Sequence, residues 1–171
     1  MPRHGVYVSD YVENGTAETL LAFMRIYDNN GHMDKKLIIS TVRVRIIIES
    51  AVIRELAESH SDERLARPLK VLAEIRKKLN GANPPDNKWV GDKLAEEFHA
   101  LCMASENISI PIMMNPFTSC CAEFSHIWAD QIGALNAVDA RESIYGYIKK
   151  GDAKHAIKFL EDYCKRFFSK L

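Results

Sequence analysis

The sequence predicts an all-α protein, an antiparallel bundle of about six to seven helices behind one short N-terminal strand. Three observations carry that expectation. From Thr16 onward, capping residues and breakers cut the chain into helix-length segments. The most apolar of these, residues 36–59, runs past twenty residues without a breaker, too long for a strand. Apolar residues make up 47% of the 171 positions, enough for a core that buries about 70% of the unfolded surface.

The elements follow in order. Val6-Tyr7-Val8, opened by Gly5, is a short β-type run unlike the rest of the chain. Thr16 caps a helix over 17–27, which Asn29-Asn30-Gly31 stops. Residues 36–59 hold a conflict, because Val42-Arg43-Val44-Arg45-Ile46 alternates like a strand while 51–58 is strongly helical. Length decides for one buried helix. On it Arg45 and Glu49 lie one turn apart, in line with Val52, Ile53 and Leu56. They form either an ion pair at the core's edge or a polar patch facing a cavity.

Ser61-Asp62-Glu63 starts the next helix, with acidic groups near its positive end, and Pro68 is expected to delay or kink it. Residues 80–85, Asn-Gly-Ala-Asn-Pro-Pro, form the clearest loop. A helix over 86–105 follows. Val90, Leu94, Phe98, Leu101 and Ser105 make one stripe, with Ala95, His99 and Cys102 beside it. Asn107 caps the next segment, and Pro111 and Pro116 push its regular part to about residues 117–134. The last pair of helices is expected at 139–150 and 152–169, joined at Gly151. Neither an internal repeat nor a low-complexity tract interrupts this order.

Charge narrows the function. Lys plus Arg and Asp plus Glu both number 23, so this chain alone lacks the basic footprint that nucleic-acid binding needs. Cys102, Cys120, Cys121 and Cys164 contain no Cys-x-x-Cys and suit a reducing, cytoplasmic setting as small hydrophobes. No signal peptide is expected in the first thirty residues, and no apolar stretch is long enough to span a bilayer.

Enzymatic chemistry finds weak support, and the chain is read as no enzyme. There is no Gly-x-Ser-x-Gly elbow, and no cysteine has a histidine at an informative spacing. Two Glu-x-x-His pairs, Glu96/His99 and Glu123/His126, with Glu49 as a further carboxylate, outline a ferritin-like di-iron oxidase. Against it, the intervening stretch holds two prolines and no separate carboxylate helix. A ligand-free helical interaction module is the blandest alternative.

Several motifs, taken together, resemble the C-terminal effector domain of the FadR branch of GntR transcription regulators. They are Arg45-Ile46-Ile47-Ile48-Glu49, Phe98-His99, Asn107 eight residues after that histidine, and Gly151-Asp152-x-x-x-Ala156 between the last two helices. Residues 16–171 would be the all-α effector-binding and dimerisation domain. Residues 1–15 resemble the last wing strand and linker of the family's winged helix, whose recognition helix would precede this chain. The resemblance implies a homodimeric regulator, reaching operator DNA only through that winged helix and responding to a small metabolite.

It also implies a departure. Many members hold a divalent metal at four positions that here carry Ala95, His99, Arg141 and Tyr163. One imidazole cannot retain such an ion, so no metal and no other cofactor is expected. Arg141 can instead meet a carboxylate or phosphate directly through its two-pronged guanidinium. The candidate effector site is therefore Arg45, Glu49, His99, Arg141 and Tyr163, and the expected ligand is a small carboxylate or an acyl-CoA-like thioester. Arg141→Ala is expected to weaken that ligand without unfolding the domain. Otherwise Arg141 faces outward and pairs near Asp139 or Glu142.

Overall fold

A computed structural model describes residues 11–25, 34–59 and 61–171, with the side chains of Tyr11 and Val12 excepted. These residues are helical almost throughout, and no strand occurs among them. The strand expected at Val6–Val8 and the stop at Asn29–Gly31 lie outside the described residues. The helices are α1 (Tyr11–Asn14), α2 (Ala17–Met24), α3 (Lys35–Ser59), α4 (Asp62–Leu79) and α5 (Asn87–Met103). After them come α6 (Ser109–Met114), a 3₁₀ turn (Asn115–Phe117), α7 (Thr118–Ile132), α8 (Ala134–Lys149) and α9 (Ala153–Phe168). Seven of these have eight residues or more, the expected bundle.

Local chemistry sets most boundaries. Asp34 Oδ1 accepts from the backbone N–H groups of Lys36 and Leu37 at the head of α3. Ser61 Oγ does the same for Arg64 on α4, Asp86 for Trp89 on α5 and Asp152 for His155 on α9. The β-branched stretch of α3 is helical, as length required. Ile38, Val42, Val52 and Ile53 of this helix are buried, so tertiary packing outweighs their modest helix propensity, while Val44 and Ile47 remain exposed.

Two boundaries differ from expectation. Pro68 neither delays nor ends α4, which runs from Asp62. The ring is buried seven residues into the helix, and Leu65, Leu72 and Ile75 bury the same face. The other concerns α8, which begins at Ala134, five residues before the expected start. The cause is Gly133, whose φ of 93° turns the chain between α7 and α8 in a single residue. Gly151, with φ 72°, makes the expected turn before α9.

In the packed bundle α5 is central, lying against α4 on one side and α7 on the other. α9 lies along α3 and α8, and α8 also touches α4. The core includes Met24, Leu56, Leu72, Leu101, Ile148 and Phe167. A smaller cluster of Phe98, Cys102 and Met114 sits under α6, with Ile48, Ile110 and Cys121 against it. This arrangement turns one face each of α3, α5, α7, α8 and α9 toward a shared interior.

Candidate functional site

Four charged side chains meet in that interior. α3 supplies Arg45 and Glu49, α5 supplies Glu97 and α8 supplies Arg141. Glu49 is 1% exposed, Glu97 0% and Arg141 7%. Isolated charges at such depth would be prohibitively costly, so their pairing is the condition for the fold.

Arg141 is the hub. Its Nε and Nη2 donate to the two carboxylate oxygens of Glu97, each at 2.8 Å. Its Nη1 donates to Glu49 Oε1. Both edges of the guanidinium are thus taken, in the two-pronged geometry that favours Arg over Lys. Tyr145, one turn along α8, donates its hydroxyl to Glu97 Oε1. Arg45 Nε reaches Glu49 Oε2 at 3.4 Å. The Arg45 guanidinium lies over Phe98 at 4.0 Å and near Phe124 at 5.0 Å, so aromatic faces replace part of its hydration.

Two cations and two anions cancel locally. Burial pushes the Glu49 carboxyl up, but the charges of Arg141 and Arg45 and their hydrogen bonds outweigh it, leaving it below its ordinary 4.5. Burial, then the neighbouring Glu97 charge, drives the Tyr145 phenol far up, so it stays a proton donor. A carboxyl depressed by folding adds stability above its unfolded pKa, and that stability disappears as pH falls through the folded value. The urea midpoint is therefore expected to fall as the pH drops below the ordinary carboxyl value of 4.5. Glu49→Gln, measured across the same range, should flatten part of that slope. An unchanged slope would dissociate the acid limb from Glu49.

The network borders a narrow cavity of about 30 Å³. Arg45, Glu49, Arg141 and Tyr163 line it, together with Ser125 and Trp128 of α7. That volume admits a water or two, since a single water needs roughly 10–15 Å³. Two buried atoms of the lining residues lack a hydrogen-bond partner among the described residues, Arg45 Nη1 and Ser125 Oγ. Tyr163 closes one side, its hydroxyl donating to the Asn136 carbonyl at 2.9 Å. Burial raises its pKa to about 12.

Four of the five residues nominated from sequence thus share one cavity, and His99 does not. Its Nε2 pairs with Asn115 Oδ1 at 3.2 Å, beside a separate small hollow with Ala95, Met114 and Cys121. The outward placement of Arg141 is overturned as well, because Asp139 and Glu142 instead pair with Arg76 of α4. Glu97 and Tyr145 were missed. Both had a signal: Glu97 sits on the stripe of Val90, Leu94 and Leu101, and Tyr145 lies four residues after Arg141.

The residues suit no family-type metal centre. Ala95 has no donor, Arg141 is a paired cation, and Tyr163 is committed to a carbonyl. The di-iron residues do not converge either. Glu96 pairs with Lys93, Glu123 with Arg25 and His126 with Asp92. Among the described residues no three His, Cys, Asp or Glu side chains form a cluster that could hold an ion. Nor is any described helix long and apolar enough to cross a membrane. No family model matches the chain, and no curated protein or solved structure matches it either.

Proposed function

We propose that this chain is the ligand-sensing and self-associating domain of a GntR/FadR-type transcription regulator, taking an anionic metabolite without a metal. The ligand would be a small carboxylate or an acyl thioester, and operator DNA would be contacted by a separate winged-helix domain. What supports this is the convergence of Arg45, Glu49, Arg141 and Tyr163 on one small, otherwise largely apolar cavity inside an all-α bundle. The geometry also divides their labour. Arg141 is saturated by two carboxylates and holds the network, while Arg45 Nη1 and Ser125 Oγ remain for a ligand anion.

A cavity of about 30 Å³ fits water rather than a metabolite, so the ligand must select a more open bundle. That requirement suits a sensor, whose output is a change of shape. Self-association has its own support in the exposed apolar side chains Val44 and Ile47 on α3 and Ile112 and Met113 on α6.

Native mass spectrometry of the protein as purified, without chelator, is expected to give a dimer free of metal and carrying a small organic anion. Saturating carboxylate, at about a hundred times its Kd, should stabilise the wild type by about 2.7 kcal/mol and leave Arg45→Gln unmoved. A stoichiometric metal, or carboxylate panels that shift neither protein, would overturn the proposal.

A further inference from the structure

Tyr163 borders two spaces. Inside lies the cavity of Arg45 and Arg141. Outside, the same residue lines a groove of about 210 Å³ along α8 and α9, with Tyr147, His155, Lys158, Phe159 and Arg166. The groove is seven times the cavity's volume and differs from it in chemistry.

Three aromatic rings line it. Phe159 and Tyr163 are almost parallel, 8° apart with centroids at 6.2 Å, while Tyr147, 6.2 Å from Phe159, is tilted 47° to it and stacks on His155. All three are half-buried, so ring surface is left for a partner. The charges on the rim are unequally committed. Asp162, its acidic member, is already met by Lys158 at 3.2 Å and Lys165 at 3.0 Å. His155 is held by Asp152 at 2.7 Å. Arg166 is exposed, and among the described residues no carboxylate reaches it.

We propose that this groove is a second binding site, specific for a planar aromatic carboxylate. Its ring would lie along Phe159 and Tyr163 with Tyr147 inclined at its edge, and its carboxylate would meet Arg166. The match is one of charge and shape together: flat apolar walls take a flat apolar body, and one uncommitted guanidinium takes one anion. Neither half suffices alone. An aliphatic acid forgoes the rings, and a neutral arene leaves Arg166 unused. The site goes beyond the interior sensor and does not depend on it, although Tyr163 gives the two a common wall.

The test is calorimetric titration of the full chain with 2-naphthoate, acetate and 2-naphthalenemethanol. Naphthoate is expected to bind at least tenfold more tightly than either control. Arg166→Ala, at an exposed position that leaves the core untouched, should remove most of that advantage. Phe159→Leu should weaken naphthoate and naphthalenemethanol alike. Arg45→Gln should leave naphthoate affinity unchanged, which separates this groove from the interior site. Equal affinity for naphthoate and its neutral analogue, or an Arg166→Ala protein that binds as well as wild type, overturns the proposal. So does loss of naphthoate binding in Arg45→Gln alone, which would move the ligand inside.

Discussion

Arg141→Ala is expected to cost about 3–5 kcal/mol, a large part of the 5–15 kcal/mol that typically holds a domain together. Removing the guanidinium leaves Glu97 with Tyr145 alone and Glu49 with Arg45 at 3.4 Å, both carboxylates still buried. The loss is mostly the penalty of stranded charge rather than the worth of the ion pairs. Urea unfolding measures it. The combination Arg141→Met with Glu97→Gln provides the control, because it removes one cation with one anion and leaves Glu49 paired with Arg45. That variant should recover much of the stability. A single Arg141→Ala loss below about 1 kcal/mol would mean that the hub is no hub. This replaces the expectation that Arg141→Ala spares the fold, which treated Arg141 as a ligand contact with no partners of its own.

The second large effect tests a sign. Helix propensity alone predicts that Gly91→Ala in α5 stabilises by about 1 kcal/mol. Space predicts the opposite, because a Cβ there would lie 2.5 Å from His126 Cδ2 and 2.8 Å from its Cα and N. Backbone atoms cannot step aside, so α5 and α7 must part, disturbing the closest helix pair and the 2.7 Å His126–Asp92 contact. Overpacking of this kind costs about 1–3 kcal/mol, and a net loss of roughly 1 kcal/mol or more is expected. Gly146→Ala on α8 is the matched comparison, since nothing lies within 4 Å of its added Cβ and propensity should act alone. Thermal midpoints moving in opposite directions would bear out the packing argument. A stabilised Gly91→Ala would refute it.

How far the sequence carried can be seen at particular residues. The helix over 36–59 was legible despite its β-branched run, because length excludes a strand more firmly than propensity supports one. The beginning of α8 was not, since an isolated glycine inside a helical pattern can be tolerated, and Gly133 resembles such a case until its φ is known. Arg45 and Glu49 were visible as a pair because they share one helix face. Glu97 and Tyr145 were harder, because what makes them matter is a partner 44 or 48 residues away across the bundle, which no local spacing encodes. His99 stood out by motif, yet the bend through Pro111 and Pro116 brings Asn115 to it and leaves it beside a different hollow.

Gly133 has a mechanical side. It is the whole connection between α7 and α8, so these two helices share a joint with no slack in it. Ser125 and Trp128 stand on the first lever arm, Arg141 and Tyr145 on the second. A tilt of α7 has only the two dihedrals of Gly133 to absorb it before it bears on α8 and Arg141. α8 in turn lies against both α4 and α9.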